Sequence, residues 1–160
     1  MRRLTRIAAS TTVAVSAMAG LAVLTAPAAL AATSCSGTIT YDHTYNVGGN
    51  PVAELTIYYN STNGGTNSAC LYHRGAYYGK SEPTAIQIYR CTQQATAPGS
   101  PCTIAVASRV DSNNYAYYAG PVGVTGTANY CVAVQASMGL TGGGELQVGT
   151  GTRGCPGIQT

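Results

Sequence analysis

Downstream of Ala32, apolar and polar positions alternate in short stretches with a period of two. Leu55, Ile57 and Tyr59 fall on one side of one stretch, with Glu54, Thr56 and Tyr58 on the other. Successive strand side chains point to opposite faces, so this pattern predicts a strand with one face toward a core. Ile104, Val106 and Val110 form a second alternating set. Stretches rich in Thr, Ile, Val and Tyr predict strands over Thr38–Tyr45, Val52–Asn60, Ser68–His73, Thr84–Arg90, Thr103–Val110, Tyr115–Tyr118, Val122–Thr125, Tyr130–Ala136 and Leu146–Val148. Gly48-Gly49-Asn50-Pro51, Asn63-Gly64-Gly65 and Gly142-Gly143-Gly144 supply turn residues between them. The expected fold is all-β: an antiparallel β-sandwich of about seven to nine short strands, with a barrel as the alternative.

The N-terminus follows another pattern. Met1-Arg2-Arg3-Leu4-Thr5-Arg6 is basic, an apolar small-residue stretch runs through Leu24, and Ala29-Leu30-Ala31 presents a small-x-small cleavage pattern. That is the layout of a secretory signal peptide. We therefore expect residues 1–31 to be the signal and 32–160 to be a single disulfide-stabilised β domain, secreted and extracellular. A retained transmembrane anchor, twin-arginine export and a lipoprotein acylated at Cys35 are the weaker readings. After cleavage no stable membrane anchor is expected, because no later run is long enough to span a bilayer.

Cleavage changes the charge. Of eight basic residues, Arg2, Arg3 and Arg6 leave with the signal, so the remaining five cations balance five acids. No basic patch survives, and nucleic-acid binding lacks the cations that would release counterions. Charged residues make up 8% of the chain, against about a quarter in an ordinary soluble domain. There is no Phe and no Trp, while there are 12 Tyr. Tyrosine must supply every aromatic contact, with rings packed at the core edge and hydroxyls kept wet or paired.

Cys35, Cys70, Cys91, Cys102, Cys131 and Cys155 all lie in the secreted part. An even count in an oxidising compartment predicts three disulfides, and spacing alone leaves the connectivity open. Sequential pairing is the expectation. It is best argued for Cys91 with Cys102, where Pro98-Gly99 favours a turn that returns the chain on itself. Each closure is expected to stabilise the fold by roughly 3 kcal/mol. A metal site lacks the CxxC or HxxxH spacing it would need, so neither metal nor cofactor is expected.

Catalytic signals are weak. Asp42 precedes His43, but strand neighbours point apart, and no GxSxG nucleophile is present. His73, beside Cys70, has no identifiable third partner. A glycosidase needs two carboxylates across one bond; nothing marks such a pair among the acids, and Asp111 reads as a turn residue. Asn60-Ser61-Thr62 matches a glycan acceptor pattern. The tyrosine clusters are the better lead: Tyr77, Tyr78, Tyr115, Tyr117 and Tyr118 form the candidate binding surface, because exposed tyrosine gives large contact area at low entropic cost. The structural alternative is that one ring of each cluster is core and the other merely covers the sheet.

Tyr118-Ala119-Gly120-Pro121-Val122, with Val124 and Cys131-Val132 following, resembles the spore-associated protein family of filamentous actinobacteria. Cys35, the stretch from Ala53 to Asn60, the segment from Gly65 to Cys70, and Cys155 extend the resemblance across the secreted part. The chain differs in having Ala133-Val134-Gln135 where that family carries a Trp, and in an additional pair, Cys91 and Cys102. The resemblance implies a small exported protein associated with spores or the cell surface, with no established activity. If the family framework has four cysteines, it also supports pairing Cys35 with Cys70 and Cys131 with Cys155. Independently, Gly120-Pro121 is expected to bend the chain between two strands.

Three functions follow as expectations. The first is a non-catalytic secreted domain on the cell or spore surface. The second is a carbohydrate- or protein-binding module using the tyrosines, with cell-wall or spore-surface polysaccharide or protein as partner. The third is a small secreted hydrolase, or a hydrolase inhibitor presenting the Cys91–Cys102 segment.

Overall fold

The computed structural model describes residues 34–156, and the segment read as a signal peptide lies outside them. Among the described residues the strands are β1 Thr38–Val47, β2 Asn50–Asn60, β3 Thr66–His73, β4 Glu82–Cys91, β5 Ile104–Ala107, β6 Asp111–Tyr115, β7 Tyr118–Thr125, β8 Val132–Gly139 and β9 Glu145–Gly149. The first sheet runs β1-β2-β3-β7; the second runs β5-β4-β8-β9, with β6 also paired to β4. Every strand pair is antiparallel. The two sheets stack as the expected β-sandwich.

The local rules explain much of this. Gly48 and Gly49 both have positive φ (57° and 81°), which suits the two-residue turn that joins β1 to β2 with the right twist. Leu55 and Ile57 face the core from β2, Leu71 from β3, Ile86 and Ile88 from β4, and Val132, Val134 and Met138 from β8; all are buried. Burying side chains of this size stabilises by about 1.5–3 kcal/mol each. Tyr41, Tyr45, Tyr77 and Tyr115 pack partly buried against that cluster, as expected of the only aromatic type in the chain. Tyr41 and Tyr45 share a hydrogen bond between their hydroxyls.

Three expectations need correction. The predicted strand Thr103–Val110 is shorter: β5 ends at Ala107. Ser108 then leaves the strand and patches the gap, since the Ser108 amide donates to Ile88 O and the Ile88 amide donates to Ser108 Oγ. Ile104 and Val106 alternate as read, yet both are exposed (55% and 40%), and Val110 lies beyond the strand at 57%. Alternation located a strand there, but all four residues of β5 are exposed and neither side faces the core.

Second, Asp111 is not a turn residue but opens β6. The predicted strand Tyr115–Tyr118 is in fact the junction between β6 and β7, where the chain leaves the second sheet for the first. Third, Gly120-Pro121 does not separate two strands. It lies inside β7, with a cis peptide bond and a register shift against β3 between Ala69 and Leu71. Gly120 has φ +100°, and a Cβ there would stand 2.6 Å from Ala69 O, so the position requires glycine. Asp111 holds this bulge: its carboxylate accepts the Gly120 amide at 2.6 Å and the Tyr115 hydroxyl. That bond also pushes the Tyr115 phenol pKa up.

The disulfides join Cys35–Cys70, Cys91–Cys102 and Cys131–Cys155, the sequential pairing expected. Cys35 is therefore a crosslink partner and not a free acylation site. Cys91, Cys131 and Cys155 form a small buried cluster with Ala133, and Cys102 packs against it. Three bridges in one domain are consistent with an extracellular setting.

Candidate functional site

The five candidate tyrosines divide. Tyr77 and Tyr115 are partly buried against the core, whereas Tyr78, Tyr117 and Tyr118 are exposed at 63%, 52% and 44%. Tyr78 and Tyr117 meet edge to face with ring centres 5.1 Å apart. Their backbones are tied locally, because the His73 amide donates to Tyr117 O and the Gly79 amide to Ala116 O. Tyr118 pairs across β3 with Tyr72, their rings 5.6 Å apart. The sequence thus placed exposed and core-side rings in the same clusters without separating them.

Tyr118 belongs to a larger arrangement on the outer face of the first sheet. Tyr72 and Tyr58 share a hydrogen bond between hydroxyls at 2.9 Å. Arg74 lies over the Tyr72 ring at 4.9 Å and binds Glu54 through both Nε and Nη2, at 3.0 and 2.9 Å. The Glu54 bonds push the Arg74 pKa up, and burial followed by the Tyr58 bond pushes Tyr72 up. Beside this group Asp42 accepts the Thr56 hydroxyl at 2.9 Å. At the other end of the face, Cys35 is joined to Cys70, and Ser68 Oγ donates to Ser34 O at 2.7 Å.

A role for tyrosine that sequence reading missed is the pairing of cations with rings. Besides Arg74 over Tyr72, Arg90 lies 5.1 Å from the Tyr130 ring centre, Arg153 4.9 Å from Tyr41 and Lys80 5.9 Å from Tyr77. Among the described residues the only ion pair is Arg74–Glu54. In a chain so poor in acids, aromatic faces supply the negative potential that its cations face. A rarity of Asp and Glu beside an abundance of Tyr was the available sequence signal.

Comparison of the chain with family models found no match, and comparisons with curated proteins and with solved structures found none either. Function must be argued from the residues themselves.

The histidines and acids stand apart from one another. Asp42 bonds Thr56 on the outer face, while His43 sits between Tyr41 and Tyr45 with ring centres at 6.3 and 4.7 Å. These neighbours point apart as the strand period requires. His73 is fully buried on β3, and its Nε2 lies 2.9 Å from Thr84 Oγ1 on β4. Thr84 Oγ1 also lies 3.0 Å from Glu82 O, and the His73–Thr84 hydrogen bond links the two sheets. Burial lowers the His73 pKa, against smaller raising effects from the Lys80 and Tyr77 carbonyls and Glu82. The ring is therefore held neutral, and its Nδ1 has no hydrogen-bond partner among the described residues.

The Cys91–Cys102 segment is tied to the C-terminal part of the chain. The Gly99 amide donates to Thr152 O, the Thr152 amide to Ser100 O, and the Cys131 amide to Gln93 O. Gln93 also bridges the segment internally, donating to Pro101 O and accepting the Thr103 amide. Among the described residues no group of three or more His, Cys, Asp or Glu is placed to hold a metal.

Proposed function

We propose that the protein is a non-catalytic secreted domain associated with the cell or spore surface. The observation that carries this reading is the crosslinked, charge-poor sandwich: three disulfides fix a fold that presents neutral polar groups and tyrosine rings. The resemblance around Tyr118-Ala119-Gly120-Pro121-Val122 supports the same reading, as does the N-terminal pattern of residues 1–31. Both histidines are occupied in ways that suit a structural part: His43 lies among rings and His73 spans the sheets. Fractionation of the producing culture tests the proposal. The protein should co-purify with cells or spores and begin near Ala32; recovery only from culture fluid would refute it.

A second reading, a binding module using exposed tyrosines, is favoured by the Tyr78–Tyr117 pair and by Tyr118. Tyr117→Ala and Tyr118→Ala should each weaken retention on isolated cell envelope. Tyr77 and Tyr115, packed against the core, are less suited to touch a partner. Retention unchanged in both variants would remove the tyrosines from the assignment.

A further inference from the structure

The outer face of the second sheet carries a groove of about 480 Å³ that crosses β4, β8 and β9 and is bordered by Val110. This volume lies within the about 300–1,000 Å³ typical of ligand sites. Register explains its lining. Gln87 of β4, Gln135 of β8 and Gly149 of β9 form one row; Ala85, Ser137 and Gln147 form the next. Tyr89 stands one row further along, opposite Ala133. The small residues Ala85 and Gly149 leave room between the long side chains, and no charged residue lines the groove.

Its polar groups are positioned and still have capacity. Gln87 Nε2 donates to Ser108 O at 2.7 Å, which fixes that amide to the chain just past β5. Tyr89 Oη lies 2.6 Å from Gln87 Oε1 and 3.0 Å from Gln135 Oε1. One hydroxyl proton cannot serve both oxygens fully, so an amide acceptor stays available. Gln147 Nε2 donates to Glu145 at 2.6 Å, leaving its carbonyl oxygen as a further acceptor. The Gln135 amide protons and the Ser137 hydroxyl have no hydrogen-bond partner among the described residues.

We infer that this groove binds an uncharged, hydroxyl-rich polysaccharide chain. The inference deepens the surface-association reading and rests on it. A sugar offers hydroxyls at its edge and C–H groups on its faces. The groove offers neutral amides and hydroxyls, with Ala85, Gly149 and Val110 for the apolar faces. A peptide is a poorer fit. The backbone groups of the groove floor are already used in the ladders β4–β8 and β8–β9, so a peptide lying across the floor gains no main-chain pairing there. Of the Trp, Tyr and Arg anchors that dominate protein interfaces, the groove holds only Tyr89, whose hydroxyl is engaged by Gln87 and Gln135. Anionic polymers would meet no cation in it.

The test uses the secreted protein with cellohexaose and chitohexaose in calorimetry, and with insoluble cellulose and chitin in pull-down. Heparin serves as a charged comparison. At least one neutral polymer should bind and heparin should not. Gln135→Ala and Gln147→Ala should each weaken binding by about 5- to 10-fold, the loss of one hydrogen bond, with unchanged melting temperature. Val47→Ala, at the exposed end of β1 and away from the groove, should leave it unchanged. Ser137→Ala, which removes only the hydroxyl, should also weaken binding. No binding to any of the neutral glycans, preferential binding to heparin, or full affinity in the Gln135, Gln147 and Ser137 variants would each overturn the assignment. If the protein binds no neutral glycan but still co-purifies with cells or spores, the groove assignment fails and the surface reading stands. Glycan binding without any surface association would refute the surface reading and uphold the groove.

Discussion

The outer faces of the two sheets are built from different chemistry. On the first sheet, Arg74, Glu54, Tyr72, Tyr58 and Tyr118 interlock through an ion pair, a stacked cation and a hydroxyl pair. On the second, Gln87, Gln135, Gln147, Ser137 and Tyr89 present neutral groups around small residues. One face satisfies its polar atoms mostly by internal pairing; the other keeps donors and acceptors in reserve. The first face carries Arg74, Glu54 and Asp42, whereas no charged residue lines the groove on the second, where Glu145 stands beyond the lining and accepts from Gln147. That is why the second face suits a neutral ligand, while the first reads as self-contained apart from the exposed Tyr118 ring.

This contrast is disturbed most strongly at the crosslinks. Cys35→Ser/Cys70→Ser removes a bridge across 35 positions, and Cys91→Ser/Cys102→Ser one across 11. Denaturant unfolding should show losses of about 4 and about 3 kcal/mol, because the longer closed loop restricts the unfolded chain more. The reverse order would mean that the first face depends less on its N-terminal clasp than its geometry indicates.

The next largest effect is expected at Asp111, whose carboxylate joins β6 of the second sheet to the β7 bulge of the first. Asp111→Ala strands the Gly120 amide and should cost about 2 kcal/mol. Equilibrium unfolding that placed the variant within about 0.5 kcal/mol of wild type would show that the sheets dock without this tie.

Smaller changes separate the faces themselves. Arg74 and Glu54 keep side-chain exposures of 33% and 23%, so solvent screens their attraction. Arg74→Ala should destabilise by about 1 kcal/mol or less, with a salt-dependent part from the ion pair. Gln135→Ala on the other face should change stability by less than about 0.5 kcal/mol. Equal salt dependence for the two variants would erase the contrast.

The mildest perturbation is pH. Burial lowers the His73 pKa in the folded protein, while the unfolded chain titrates near the ordinary value of about 6.5. Below about pH 6.5 the unfolded state takes up a proton that the folded state refuses. Stability contributed by neutral His73 is therefore complete above that pH and declines as pH falls toward the lowered folded value. Melting temperature should drop on acidification from pH 7 to pH 5, and His73→Gln should reduce that slope. An unchanged slope in a folded His73→Gln protein would show that His73 is not the group responsible.

Much of the fold was legible in the sequence. The alternation around Leu55 and Ile57 located β2 and its core face, because side-chain period follows directly from backbone geometry. Gly48-Gly49 marked the first hairpin, and an even set of cysteines matched three bridges. The neighbours Asp42 and His43 parted as a strand requires. Other features were illegible for physical reasons. Ile104 and Val106 have the pattern of a core strand, but an edge position leaves them in solvent. Tyr115 and Tyr118 stand three positions apart, yet one faces the core and the other lies on the outer face. Propensity could not show that the chain changes sheets between them.

Residue type and short-range order were enough to set the strand-rich class, the near-absence of charge, the reliance on tyrosine and the supply of cysteines. The packing of the two sheets settled the rest: which tyrosines face solvent, that Gly120-Pro121 forms a bulge within β7, and that Gln87, Gln135 and Gln147 meet on one face. Those outcomes depend on strand order and register, which bring together residues far apart in the chain and which no local pattern encodes.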